Sequence, residues 1–228
     1  MGPDATVDFM AKVIALTDAE RDQDHVRMLV DHNPHVPNRQ AAILADGEDP
    51  GPVLAEMASR LEASGADFLV MPCNTAYVFE EAIIAATKVP LISIIAESIA
   101  AVRESAPDAS AVGVLATDGC LQTGIYQSGI EAAGMTAVLP VAGEMEQIMV
   151  LINAIKAGNQ GTAAGAGLKS LAEALITRGA DAIIAGCTEI PLVLTDEMVK
   201  VPLVSSTDAL ALKTVRLARG DEALPESR

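Results

Sequence analysis

Apolar residues along this chain fall in two alternating patterns. Short continuous runs of apolar, often β-branched, residues read as strands buried on both faces of a parallel sheet. They lie at His25–Val30, Asp67–Met71, Leu91–Ile94, Ala111–Ala116, Thr136–Leu139, Asp181–Ala185 and Pro202–Val204. Between them, apolar positions recur at helical spacing over Ala5–Leu16, Val53–Ala63, Tyr77–Thr87, Glu97–Ser105, Thr123–Ala133, Glu144–Ala157, Ala163–Thr177 and Thr207–Leu217. Strand–helix alternation with short connections predicts an α/β fold built on parallel sheets.

The pattern also repeats. "LAEMASRLEASGADFLVMPCNT" (54–75) parallels "LKSLAEALITRGADAIIAGCTE" (168–189), and "KVPLISI" (88–94) parallels "KVPLVSS" (200–206). The offset is 114 residues at the cysteines and 112 at the Lys-Val-Pro-Leu runs. Two segments in one order at nearly one offset predict an internal duplication. The expected architecture is two similar parallel-sheet α/β domains related by a pseudo-twofold axis. The first comprises 1–97 plus 208–228 and the second 98–207. The second copy opens on a strand, "SAVGVLATDG" (110–119), whose glycine-turn end falls on "MGPD" (1–4) at the same offset. The first copy therefore has the turn and helix but not the opening strand. In a doubly wound sheet that strand is internal. Its loss leaves a central gap with unpaired backbone groups, unless the start is misplaced or another segment fills it.

Composition fits a globular chain. Half of the 228 residues are hydrophobic, 20% are charged and mean hydropathy is +0.34. With 2% aromatics and no Trp, the core must be Ala, Val, Ile, Leu and Met. The formal charge of −16 opposes binding to nucleic acid, which needs a basic face to displace counterions, and to an anionic membrane. No apolar run approaches the length of a membrane span, and the N-terminus shows no signal-peptide pattern. Three cysteines without C-x-x-C spacing fit reduced thiols in a cytoplasm.

Candidate chemistry gathers at strand ends, where ligands sit in parallel α/β sheets. Cys73 and Cys187 each follow a predicted strand and precede a predicted helix. A helix N-terminus lowers a thiol pKa from about 8.5 towards neutrality. Asn74, Thr75 and Thr188 add donors. If the two copies face each other, the thiols approach one cleft from opposite sides. That arrangement suits stereoinversion: one thiolate takes a proton from Cα and the opposed thiol returns one to the other face. The alternative for each thiol is a small buried apolar residue.

These residues carry a resemblance. "MPCNTAY", "LATDG" and "GCTEIPLV", with "MGPDATVDFM", "NPHVPNRQAAIL" and "INAIKAG", resemble the aspartate/glutamate racemase family over nearly the whole chain, and its aspartate racemase branch in particular. The resemblance implies a cofactor-independent isomerase that interconverts L- and D-aspartate by two-base proton transfer. It also implies an active site in the cleft between two similar domains, and commonly a homodimer. By position, Cys73 and Cys187 would be the catalytic bases. Arg39 and Lys156 would bind or polarise substrate carboxylates. Asn74, Thr75, Thr117 and Thr188 would hold the α-carboxylate and amine, and Glu189 would border the second cysteine. Glutamate or hydantoin racemase and maleate isomerase use the same chemistry. A catalytically inactive small-molecule binding protein of this fold is the reading of another class. The implied partner is a small dicarboxylic amino acid, with no metal and no cofactor. Arg39 suits that substrate as a bidentate carboxylate partner in a polar loop.

The sequence also departs from the family's pattern. The family often shows Gly-Gly-Met-Gly-Pro after a strand, Tyr77 stands where His is common, and Cys120 stands where Thr is frequent. Cys120 reads as structural. The glycine-rich "GNQGTAAGAG" (158–167) lacks the ending of a phosphate loop and reads as an interhelical loop. His25, His32 and His35 bracket a Pro-containing loop and read as non-ligating. "DEALPESR" (221–228) reads as a frayed tail.

Overall fold

The computed structural model describes residues 1–225; the last three residues of the tail expected to fray lie outside the described residues. The chain forms two compact units. Unit 1 comprises Met1–Ile94 and Leu210–Arg228, and unit 2 comprises Ile95–Ala209. Every strand pairing is parallel, as the α/β reading requires.

Unit 2 is built on β3 (Ala111–Ala116), β4 (Thr136–Val138), β5 (Ala182–Gly186) and β6 (Leu203–Ser205), in the order β4-β3-β5-β6. Val112, Val114, Leu115 and Ala116 of β3, and Ala182 to Ala185 of β5, are fully buried. Such strands need apolar side chains on both faces. Helices α8 (Ala142–Lys156) and α9 (Thr162–Thr177) close one core with Ile148, Ile152, Ile155, Leu168, Leu175 and Ile183. Each of these side chains contributes roughly 1.5–3 kcal/mol by leaving water. Asp181 ties the starts of the two inner strands together: its Oδ2 accepts from the Ser110 amide at 2.9 Å, the Ser110 hydroxyl at 3.0 Å and the Ala111 amide at 3.0 Å.

Unit 1 holds α1 (Pro3–Leu16), α2 (Arg39–Leu44), α3 (Gly51–Ala63), α4 (Glu80–Ala86) and two short strands, β1 (Leu69–Val70) and β2 (Leu91–Ile92). The duplication is visible in its hydrogen bonds. Helix α3 ends with Gly65 at φ 90°, and Ala66 N–H donates to Leu61 O; α9 ends with Gly179 at φ 98°, and Ala180 N–H donates to Leu175 O. Both are glycine-terminated helix ends of the Schellman type. The register repeats as well. Leu69 pairs with Leu91 in unit 1, and Ile183 with Leu203 in unit 2. The offsets of 114 and 112 carry one pair onto the other.

Several sequence expectations are corrected. His25–Val30 is not a strand: no described residue shares a backbone hydrogen bond with Val26–Val30. An extended segment becomes a strand only by pairing, and nothing lies in register beside this one. The expected helix Tyr77–Thr87 starts instead as a 3₁₀ helix, Asn74–Phe79, that runs into α4. The expected helix Thr123–Ala133 begins only after Gly124, φ 75°, as α7 (Ile125–Ala132), and a separate short helix not expected from the sequence, α6 (Asp118–Gln122), precedes it. The glycine-rich run is only partly a loop, since Thr162–Gly167 already belongs to α9. There Gly165 lets α9 approach Val193, where an added Cβ would lie 2.5 Å from the carbonyl oxygen.

Candidate active site

Cys187 directly follows β5, with 5% of its surface exposed. Its Sγ–H donates to Glu189 Oε2 at 2.9 Å, and the Thr188 hydroxyl lies 3.4 Å from the same oxygen. Glu189 is itself only 4% exposed. Across from it, Lys156 at the end of α8 brings Nζ to 3.9 Å from Glu189 Oε1. Thiol, carboxylate and ammonium thus form one chain of contacts. Thr117 leaves β3 beside Cys187, because Ala116 and Gly186 are the last paired residues of β3 and β5. Thr117 is buried at the residue before α6, where its carbonyl accepts from the Leu121 amide at 3.1 Å.

This environment corrects the expected depressed thiol. Burial, and then the Glu189 carboxylate, push the Cys187 thiol well above its ordinary range, with Lys156 acting in the opposite direction. No α-helix begins at Cys187. The residues after it form a turn and a 3₁₀ helix, Ile190–Leu192, closed by Ile190 N–H to Cys187 O at 3.0 Å. The positive end of a helix dipole, on which the expectation rested, is missing there. A buried carboxylate stands in its place, so Cys187 rests as a neutral thiol donating to Glu189.

In unit 1, Cys73 is partly exposed and directly precedes the 3₁₀ helix Asn74–Phe79. Asn74 and Thr75 are buried in its first turn. The turn is tied to the sheet by Tyr77, whose hydroxyl donates to Ile92 O at 2.5 Å. Tyr77 is fully buried, and its phenol is pushed up by burial. Arg39 does not lie in a loop. It opens α2, which packs on the Asn74–Phe79 helix, and the Asn38 side chain caps α2 by accepting from the amides of Gln40 and Ala41. Arg39 Nη1 donates to the carbonyls of Val36 and Pro37 at 3.0 and 2.7 Å, while its Nε is buried and has no acceptor among the described residues. Each unit therefore collects its own share of the expected site residues: Cys73, Asn74, Thr75 and Arg39 in the first, and Cys187, Thr188, Glu189, Lys156 and Thr117 in the second.

Two positions escaped the sequence reading. Tyr126 is fully buried in unit 2, its phenol raised by burial and by the nearby Cys120 and Cys187 thiols, and its hydroxyl lies 3.4 Å from Ser98 Oγ. Gly186, next to Cys187, lies against the Tyr126 ring: a Cβ there would sit 2.8 Å from Cε2. One of only two tyrosines in the chain, Tyr126 was the available signal. Cys120 is fully buried in α6. Among the described residues, no group of three or more His, Cys, Asp or Glu side chains gathers as a metal site, and no helix is long and apolar enough to cross a membrane.

Known proteins resemble this arrangement throughout. The family described as Asp/Glu/Hydantoin racemase matches residues 1–214. The chain is 32% identical over 219 residues to the broad specificity amino-acid racemase RacX of Bacillus subtilis, covering 94% of this chain and 93% of that one. It superposes on Picrophilus torridus aspartate racemase with a TM-score of 0.85 and 27% identity, over 98% of this chain and 92% of that one. A glutamate racemase of Bacillus anthracis shares the fold at TM-score 0.63 and 17% identity, over 99% and 82% of the two chains. With its duplicated parallel α/β halves and a cysteine at the same strand end in each, the chain belongs to the Asp/Glu/hydantoin racemase family of amino-acid racemases.

Proposed function

We propose that the protein interconverts L- and D-aspartate without a cofactor, using Cys73 and Cys187 as two bases on opposite faces of Cα. In one direction a thiolate takes the Cα proton while the other thiol delivers its own proton to the opposite face. The enzyme ends with the proton on the other sulfur, and solvent exchange resets it. The observation that carries this reading is the contact chain Cys187–Glu189–Lys156. A buried thiol hydrogen-bonded to a buried carboxylate has a ready proton acceptor, so it can be recharged as base or acid.

The carbanion formed between the two transfers needs donors at the substrate carboxylate. Thr117 and Thr188 in unit 2, and Asn74 and Thr75 in unit 1, are the polar side chains set beside the two thiols. Arg39 supports a dicarboxylic substrate, because its buried Nε has no acceptor among the described residues and guanidinium N–H groups pair readily with carboxylate. Lys156 already shares its charge with Glu189, so its role in this reading is to hold the Glu189–Cys187 pair as well as to attract the substrate.

Chiral chromatography of L-aspartate, L-glutamate and a panel of neutral amino acids after incubation with the protein tests the assignment. Aspartate is expected to invert fastest. The panel is warranted because the Bacillus relative is described as broad in specificity. Inversion confined to neutral amino acids would overturn the dicarboxylate assignment. A cytoplasmic homodimer belongs to the same reading, and light scattering of the purified protein together with cell fractionation tests it.

A further inference from the structure

The residue ahead of the thiol differs between the two units. In unit 1 it is Pro72, whose ring fixes its own φ, and the Cys73 amide donates back to Met71 O at 2.8 Å. In unit 2 it is Gly186, a residue type with no side chain to limit its backbone. Gly186 is also the last paired residue of β5, so beyond it the ladder no longer fixes the chain. What packs on Gly186 therefore decides where Cys187 stands. On the side where a Cβ would project, that is the Tyr126 ring: Cε2 lies 2.8 Å and Cζ 3.2 Å from the Cβ position, with Ala116 Cβ at 3.2 Å.

The far end of Tyr126 is anchored. Its hydroxyl lies 3.4 Å from Ser98 Oγ and is hydrogen-bonded by the Ser206 side chain. Ser98 comes from α5 (Ile94–Ser105), Ser206 opens α10 (Ser206–Arg219), and none of the three residues has exposed surface. Burying three hydroxyls costs free energy that a Phe and two Ala at the same places avoid. A satisfied buried polar cluster restricts its members to one arrangement instead. The member restricted here is the ring, held by its hydroxyl at one end and lying against Gly186 along its edge.

We propose that Tyr126 is a positioning residue for Cys187: held by Ser98 and Ser206, its ring fixes the strand end at Gly186 so that the thiol stays on Glu189 and in line with the substrate carbon. The assignment rests on the two-thiol racemase reading. Tyr126 acts through Gly186 and exchanges no proton with the substrate. Its loss therefore raises the barrier to transfers through Cys187 and leaves those through Cys73. Inversion of one enantiomer begins with proton removal by Cys187, and inversion of the other ends with proton delivery from it. A displaced Cys187 makes cleavage of the Cα–H bond more nearly rate-limiting for the first enantiomer and less so for the second.

The test uses the full chain with Tyr126→Phe, which deletes only the hydroxyl, and Ser206→Ala, which deletes one of its partners. On the amino acid that the unaltered protein inverts fastest, each variant is expected to lose about tenfold in kcat with KM within about twofold, as a slightly misplaced reacting group does. With substrate deuterated at Cα, the isotope effect on kcat/KM is expected to rise for one enantiomer and fall for the other. A general loss of folded protein lowers kcat and moves neither isotope effect. Mass-spectrometric alkylation at about pH 8 needs no turnover: a thiol loosened from Glu189 should react about threefold faster or more at Cys187, with Cys73 unchanged as the internal control. The double variant is expected to lose no more than Tyr126→Phe alone, since both changes release one ring. If Tyr126→Phe does not fold, Ser206→Ala carries both readouts. Diverging isotope effects with faster alkylation confined to Cys187 support the proposal. Unchanged alkylation at Cys187, an equal change at both thiols, or isotope effects that stay together overturn it. No inversion by the unaltered protein sinks the racemase reading instead, and the alkylation ratio still decides whether Tyr126 holds Cys187 in place.

Discussion

Cys187 donates its thiol hydrogen to Glu189 across 2.9 Å, and both side chains are almost wholly buried. Burial, and then the carboxylate, raises the thiol's pKa, and Lys156 lowers it. Glu189→Gln removes the negative charge and should lower that pKa, so alkylation of Cys187 near pH 8 should become faster. Lys156→Met should slow it. The first variant should also lose about a hundredfold or more in kcat, as expected for a lost proton acceptor. Mass-spectrometric alkylation profiles against pH check both signs; identical profiles in the two variants would refute the coupling.

If the two thiols are the bases, Cys73→Ser and Cys187→Ser should each reduce racemisation by about a thousandfold, within the range for loss of a general acid or base. Cys120→Ala, in the buried interior of α6, should leave kcat within a few-fold. Chiral product analysis on samples with native circular dichroism separates the three. Full activity in either serine variant would be incompatible with the scheme.

Gly186, the residue before Cys187, lies against the Tyr126 ring without room for a Cβ. Gly186→Ala should destabilise unit 2 by about 1–3 kcal/mol, the usual cost of overpacking, and lower kcat more than it raises KM by shifting the thiol. Urea unfolding with steady-state kinetics measures both. Adding Tyr126→Leu should restore stability; if the glycine variant alone is neutral, the ring does not set the backbone there.

Alkaline pH should weaken the fold. Cys187, Tyr77 and Tyr126 all hold their protons more tightly folded than in ordinary surroundings, chiefly through burial. The unfolded chain releases these protons at about 8.5 for the thiol and about 10 for the phenols. Above those values the unfolded state binds fewer protons than the folded one, so unfolding free energy falls as pH rises. The contribution is whole below about pH 8 and erodes as pH climbs past it. Denaturant midpoints between neutral and alkaline pH should fall, and a smaller fall in Cys187→Ser would isolate the thiol's share.

Much of this was legible in the sequence, for reasons that can be named. Glycine-terminated helices leading into apolar runs at one offset gave both halves of the duplication, because Gly65 and Gly179 perform one backbone task. The strand β3 was read to the residue, since its apolar run is buried on both faces. His25–Val30 has a similar apolar run, but none of its residues is buried and Val26–Val30 has no backbone partner among the described residues, so apolar patterning alone established neither burial nor pairing there. Cys187 was located, yet its proton affinity was misread. Distance from strand end to helix start is a local matter, whereas the contacts among Cys187, Glu189 and Lys156 join residues from two elements. Tyr126 and its packing on Gly186 are likewise tertiary, with no local spacing to betray them.

The central claim is that proton transfer at Cα passes through solvent-exchangeable thiols. Folded protein incubated with L-aspartate in D2O tests it directly, by chiral separation followed by mass analysis. The account predicts D-aspartate carrying one deuterium at Cα in every molecule formed. D-aspartate that retains the original proton, or no inversion at all by a folded sample, would contradict it.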